Sequence, residues 1–290
     1  MKHIKESELI LNPDGSVYHL NIKPEYIARD VIFVGDQDRV AEITVHFDHI
    51  EHTTQKREFK TQTGMYRGKR LTVISTGIGP DNIDIVLNEL DALVNIDFKT
   101  RTVKPEHTSL NIVRIGTSGS LQSNLDVDAF LMSKYAIGTD NMLRSYDISE
   151  LTDVEMEAAF IAHTKWNKDK GRPYAVRASE KLCAKFESDE ISQGITVTAA
   201  GFYGAQGRVL RLKLEDEELN DKIDSFAFKG MYATNLEMET AAIYGLSELL
   251  GHNAVSLNAI VANRRNGSFS PDPYEAVRKL ILFTLNKIIE

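Results

Sequence analysis

Short apolar runs rich in β-branched residues alternate along the chain with longer stretches whose apolar positions recur at helical spacing. The runs at 31–34, 71–74, 111–115, 195–198 and 254–257 have the length and composition of buried strands. Helical periodicity marks the segments near 37–47, 81–96, 178–188, 236–250 and 273–289. Regular alternation of strand and helix implies right-handed crossovers and a mostly parallel, helix-covered sheet, so the pattern predicts a single α/β domain. In such sheets ligands bind beyond the carboxyl ends of the strands. Three predicted strands end there in small glycine-bearing turns: Gly35-Asp36-Gln37-Asp38-Arg39, Ser75-Thr76-Gly77-Ile78-Gly79 and Gly116-Thr117-Ser118-Gly119. Glycine lets the backbone approach a ligand and expose successive N–H groups, which is how an uncharged loop holds an anion. None of the three is a Walker loop or a dinucleotide fingerprint, because the glycine spacing and the required lysine or acid are missing.

The helical segment at 236–250 carries acid where its apolar stripe begins. Met238, Ala241, Ala242, Gly245 and Leu249 recur at i, i+3, i+4, i+7 and i+11, and Glu237 and Glu239 flank that stripe at its N-terminal end. Two readings are open: acids that complement the helix macrodipole, or carboxylates that serve a site.

Composition narrows the classes. The chain has 290 residues, 42% apolar and 26% charged, enough to bury a large core and ordinary for a globular protein. A net charge of −8 argues against broad nucleic-acid binding, which draws on basic neutralisation of phosphates, but leaves room for a small anion if arginines gather locally. The single cysteine, Cys183, forms no internal disulfide and fits a reducing compartment. The first fourteen residues lack the apolar run of a secretory signal, and no window approaches a membrane span, so a soluble cytoplasmic protein is expected.

Eight short motifs, in order, resemble the nucleoside phosphorylase superfamily and within it the uridine phosphorylase branch: Tyr18-His19-Leu20; Val34-Gly35-Asp36 with Arg39-Val40; Arg57-Glu58-Phe59; Ser75-Thr76-Gly77-Ile78-Gly79; Arg114-Ile115-Gly116-Thr117-Ser118-Gly119; Phe202-Tyr203 with Gln206 and Arg208; Glu237-Met238-Glu239; and Val261-Ala262-Asn263-Arg264. The resemblance spans about residues 18–266, leaving 1–17 as an N-terminal extension of a single 1–290 domain. It implies a mixed, mostly parallel and partly barrel-like sheet covered by helices. The reaction it implies is reversible phosphorolysis, in which phosphate attacks C1′ of a nucleoside and releases the base and ribose 1-phosphate. Inorganic phosphate is then a co-substrate, and neither a metal nor an organic cofactor takes part.

By the same resemblance, phosphate lies against Gly35, Arg39, Arg114 and Thr117, with Arg57 supplied by a neighbouring subunit. Planar guanidinium groups grip phosphate oxygens in pairs, and an arginine inside an apolar strand such as Arg114 is costly without an anionic partner. Glu239 would hold the ribose hydroxyls and stabilise the positive charge that grows on the sugar, with Thr117 beside them. Met238 would pack on the ribose face, and His19 of an adjacent subunit would bind the 5′-hydroxyl. Phe202 would stack on the base. Gln206 offers a donor and an acceptor to a uracil edge, and Arg208 would take the negative charge of the leaving base. Glu239, Arg208 and Arg114 are thus the expected catalytic set, and the active unit is expected to be at least a homodimer with shared sites.

Purine enzymes of the superfamily carry an aspartate in the loop that matches Asn263-Arg264, and no aspartate stands there in this chain. Other positions depart from the pattern too: Gly204-Ala205 replaces proline-glycine, Gly207 replaces an acid, and Asn82 replaces a serine that in some bacterial members helps the glutamate matching Glu58 to hold a monovalent cation. His46, His49 and His52 read as a polar connection between helix and strand, not as metal ligands. A purine phosphorylase, a nucleosidase that uses water, and a nucleoside-binding protein without catalysis are the alternatives. The arginines argue against a hydrolase, and Glu239 together with the anion residues argues against a mere binder.

Overall fold

The structure is a computed structural model that describes residues 3–290. Strand β1 (Asp30–Val34) leads through α1 (Gln37–Thr44) into a meander of β2 (His49–Lys56), β3 (Phe59–Tyr66) and β4 (Lys69–Ser75). Helix α2 (Pro80–Asn95) and the small hairpin β5 (Ile96–Asp97) and β6 (Thr102–Val103) precede β7 (Asn111–Ser120) and β8 (Phe130–Gly138). Next come α3 (Val154–Thr164), β9 (Tyr174–Arg177), α4 (Glu180–Phe186), β10 (Ile191–Thr198), α5 (Leu219–Asp224), β11 (Ala227–Phe228) and β12 (Met231–Glu237). Helix α6 (Thr240–Leu249), β13 (Asn253–Asn263), β14 (Ser268–Phe269) and α7 (Pro273–Ile289) follow.

The main sheet runs β11-β12-β10-β8-β13-β7-β1-β4-β3-β2. Strand β7 pairs in parallel with β13 and also, antiparallel, with β12 through Gly119↔Leu236 and Ser120↔Asn235. That second pairing closes β12, β10, β8, β13 and β7 into a barrel, while β1, β4, β3 and β2 extend from it as an open wing. The expected single-domain α/β fold with a mixed, partly barrel-like sheet is therefore present. Parallel pairs (β1 with β4 and β7, β10 with β8 and β12) mix with antiparallel ones (β2–β3, β3–β4, β13–β8).

Apolar burial holds the layers together. Ile32, Val73, Ile112 and Leu257 from the sheet and Leu87, Leu90, Ile243 and Leu280 from the helices are fully buried, each contributing about 1.5–3 kcal/mol relative to exposure. Helix α2 packs on α6, and α6 and α7 both cover β13.

The structure corrects the sequence reading at several elements. Helix α6 begins only at Thr240, because 231–237 pair with β10 and β7 as a strand. The stretch Gly116-Thr117-Ser118-Gly119 is not a turn: β7 continues through Ser120, and its small residues let it bend to meet two partners. His49 and His52 lie on β2 rather than in a connection, and the His52 ring stacks on Tyr26 at 3.8 Å. Among the described residues no helix is long and apolar enough to cross a membrane.

Candidate active site

The carboxyl ends of β1, β4, β7, β10 and β12 converge on a cleft of about 690 Å³. Nine of the sequence-predicted residues line it: Gly35, Arg39, Arg114, Thr117, Phe202, Gln206, Arg208, Met238 and Glu239. His19 and Arg57 do not. Arg57 is exposed at the tip of the β2–β3 hairpin. His19 is half-buried, and Glu89 of α2 accepts hydrogen bonds from its backbone N–H at 2.9 Å, from Leu20 N at 2.8 Å and from its Nδ1 at 2.7 Å. Nδ1 is thus taken by Glu89, which leaves Nε2 as the ring nitrogen available to a ligand.

The two acids of Glu237-Met238-Glu239 have separate surroundings. Glu237, at the end of β12, accepts from Thr198 Oγ1 at 2.6 Å, from Glu239 N at 2.9 Å and from Thr240 N at 2.9 Å. It therefore satisfies the first orphan amides of α6, the role a capping side chain fills. Glu239, one residue before the helix, turns into the cleft. Its Oε2 meets Arg114 Nη2 at 2.6 Å and its Oε1 accepts from Gly79 N at 2.8 Å. Gly79 sits at φ 101°, a backbone conformation that a side chain would strain, and this conformation delivers its N–H to Glu239.

Electrostatics in the cleft follow from burial. The Glu239 carboxyl is raised above the usual glutamate value by burial, with Arg114 opposing and Glu237 adding to the rise. Burial works against the Arg114 charge, but Glu239 and Glu237 outweigh it and raise its pKa. Arg39 is pushed down by burial and by the neighbouring Arg114 charge. Two guanidinium groups thus face the same space: Arg114 is in contact with carboxylates, while Arg39 feels Glu42 and Asp36 only at longer range.

At the far end, Gln206 is 2% exposed. Its Oε1 accepts from Arg208 Nη1 at 2.7 Å and from Arg264 Nη2 at 2.8 Å, and Arg264 Nη1 also reaches the Gln206 carbonyl. Guanidinium groups only donate, so the atom between them is the amide oxygen. The expected double role of Gln206 is corrected accordingly: its acceptor is occupied within the protein and Nε2 is the group left for a ligand. Arg264 was not singled out on its own in the sequence. Burial, then the Arg208 charge, bring its pKa down to about 10. The Arg208 guanidinium lies 3.8 Å over the Phe202 ring, covering one face and leaving the other for stacking. Asn263 points away, donating to Gln122 O and Leu125 O at 2.9 Å and accepting from Asn266 N at 2.9 Å.

Outside the cleft, Asp91, His107 and His252 bring ligand-type atoms within 4.8 Å of one another. Leu110 N donates to His252 Nδ1 at 3.2 Å, and Nε2 lies 3.4 Å from Asp91 Oδ1 without a hydrogen-bond partner among the described residues. His107 Nε2 lies 2.9 Å from Leu250 O, so ring nitrogens of both histidines are engaged by the backbone.

Residues 29–280 match the model of the phosphorylase superfamily. The chain belongs to that superfamily. It is 28% identical over 265 residues to a uridine phosphorylase of Thermococcus kodakarensis, covering 88% of this chain and 80% of the relative. A DeoD-type purine nucleoside phosphorylase of Alkaliphilus metalliredigens is 27% identical over 241 residues, covering 82% of this chain and 84% of that one. Among solved structures, a Trypanosoma brucei nucleoside phosphorylase that shows uridine phosphorylase activity superimposes with a TM-score of 0.86 at 30% identity, covering 97% of this chain and 99% of that one. Superfamily membership accounts for the order of motifs around the cleft and for a barrel whose mouth carries them.

Proposed function

We propose that this phosphorylase acts on uridine, transferring its ribosyl group to phosphate. The observation that carries the base assignment is the pair Gln206 and Arg208 on the cleft wall: Arg208 and Arg264 both donate to Gln206 Oε1, so the side-chain groups this pair has left for a base are donors. A uracil leaving as its anion spreads negative charge onto O2 and O4, and donors stabilise that charge more in the transition state than in the bound nucleoside. A purine leaving group gains most from protonation at N7. Asn263 cannot supply a proton there, because a carboxamide is not an acid, and its N–H groups are in any case spent on the backbone.

Phosphate would lie between Arg39, Thr117 and the Gly35 backbone, drawing on Arg114 as well. One oxygen attacks C1′, the bond from C1′ to N1 breaks with its electron pair going to the base, and the departing uracil anion takes a proton from solvent. Positive charge on the ribose during that exchange faces Glu239, and Met238 packs on the sugar. Arg57 and His19 lie outside the cleft of their own subunit, which supports a site completed by a neighbouring copy. His19 Nε2 would hydrogen-bond the 5′-hydroxyl. Nothing in this scheme needs a cofactor, and a reducing cytoplasm suits a chain with one buried thiol.

The test is to incubate purified protein with uridine, thymidine, inosine and adenosine, with and without phosphate, and to follow free base. Phosphate-dependent release of uracil is expected. Release without phosphate, or only from the purine nucleosides, would overturn the assignment.

A further inference from the structure

Arg114 is held by more than its carboxylates. Residues 114 and 116 share one face of β7, and β13 runs beside it in a register that sets Ser256 opposite Arg114 and Asn258 opposite Gly116. The guanidinium lies along this face, over Gly116: a Cβ on that glycine would overlap Arg114 Nη1 and come within 2.9 Å of Asn258 Oδ1. Asn258 is fully buried, and its Oδ1 accepts from Arg114 Nη1 at 3.0 Å. Arginine has no acceptor, so the amide orientation is fixed by its partner. On its other side Asn258 Nδ2 reaches Ser256 Oγ at 3.4 Å, and Ser256 Oγ accepts from Thr240 Oγ1 at 2.9 Å. Thr240 opens α6, next to Glu239.

A buried, neutral acceptor is a specific choice at this point. Glu239 and Glu237 already lie at 2.6 and 3.4 Å from Nη2, and a third carboxylate on Nη1 would saturate the cation and repel an incoming anion. An apolar residue would leave Nη1 unpaired and the guanidinium free to swing. We infer that Asn258, with Gly116 beneath the guanidinium, is a positioning residue: it fixes the plane of Arg114 without adding a third negative charge, so that the guanidinium N–H groups not taken by Glu239 are directed at phosphate. This inference rests on the phosphorolytic reading of the site.

The experiment measures Asn258→Leu, Asn258→Asp and Gly116→Ala in two ways. One is the separate KM values for phosphate and uridine; the other is the rise in Tm caused by inorganic phosphate alone. Both Asn258 variants and Gly116→Ala should raise the phosphate KM by about tenfold or more while moving the uridine KM less, and should shrink the phosphate-induced Tm rise. A purely structural role would lower Tm without ligand and leave the phosphate KM of the folded fraction unchanged, and that result overturns the inference. Wild-type protein that gains Tm from phosphate but releases no uracil would refute the uridine reading alone, provided the variants lose the gain. Wild-type protein that phosphate does not stabilise at all would overturn both.

Discussion

At the level of single residues, the proposed reaction turns on a carboxylate that is buried and paired and would have to be ionised. Glu239 faces Arg114 at 2.6 Å with both side chains under a tenth exposed; removing Arg114 would leave two buried carboxylates unpaired, whereas removing Glu239 leaves Arg114 with Glu237 at 3.4 Å. Glu239→Ala should lower turnover by about two to three orders of magnitude, the usual scale for one lost transition-state contact. A loss under tenfold, measured as initial rate at saturating substrates, removes Glu239 from the mechanism. Its proton is held more tightly in the folded protein than in free glutamate, chiefly through burial. The acid limb of kcat/KM should therefore lie at higher pH than an ordinary glutamate gives, and Glu239→Gln should abolish that limb. Stability has the opposite sign: the Glu239 contribution is complete below the ordinary glutamate range and is lost as pH rises through the raised native value. Equilibrium unfolding across pH, compared between wild type and Glu239→Gln, separates the two effects.

At the level of elements, the two acids that begin as equivalent in the sequence part company because strand and helix meet between them. Glu237 belongs to β12 and caps α6, so Glu237→Ala orphans Thr198 and two backbone amides and should cost at least about 2 kcal/mol, read as a fall in urea midpoint. A change under 0.5 kcal/mol would deny it the capping role. Nothing in Glu237-Met238-Glu239 announces that boundary, since acid and apolar residues suit either element. Strands covered on both faces, such as β1 and β4, were legible as continuous apolar runs. The barrel strands β8 and β12 were not, because the barrel interior is partly polar. Ser133 on β8 meets Thr196 on β10 at 2.5 Å, Thr196 donates to Asn235 on β12 at 2.7 Å, and Asn235 donates to Ser118 on β7 at 2.9 Å. A hydrogen-bonded thread of that kind breaks the apolar pattern on which strand recognition depends. Strand β2, His-Ile-Glu-His-Thr-Thr-Gln-Lys at the sheet edge, has no apolar run at all. In the cleft, Arg114 and Glu239 were visible as polar residues in or at the edge of apolar runs, and two of the three glycine-bearing stretches, at Gly35 and at Gly77–Gly79, were visible as turns, whereas the third lies inside β7. Gln206 and Arg264 needed the structure, since only contact distances show which atom of the amide is spent.

At the level of the whole molecule, Arg57 and His19 turn away from the cleft that the other motifs build. Subunits carrying Arg57→Ala and subunits carrying Glu239→Ala should each be nearly inactive alone. Mixed in equal amounts through refolding or co-expression, they should recover about a quarter of wild-type activity, since half of random dimers hold one intact site of two. Failure to recover any activity from a dimer shown to mix would place each site within one subunit. Helix α2 adds a mechanical side to that arrangement. Its first amide region holds Glu239 through Gly79, and ten residues further on Glu89 holds the loop of His19. By helix rise those points are about 15 Å apart on one stiff rod. Ribose that displaces Gly79 from Glu239 would load one end of a lever whose other end carries His19, so in a dimer that shares its sites as proposed, filling one site would be felt at the next as a change in reach.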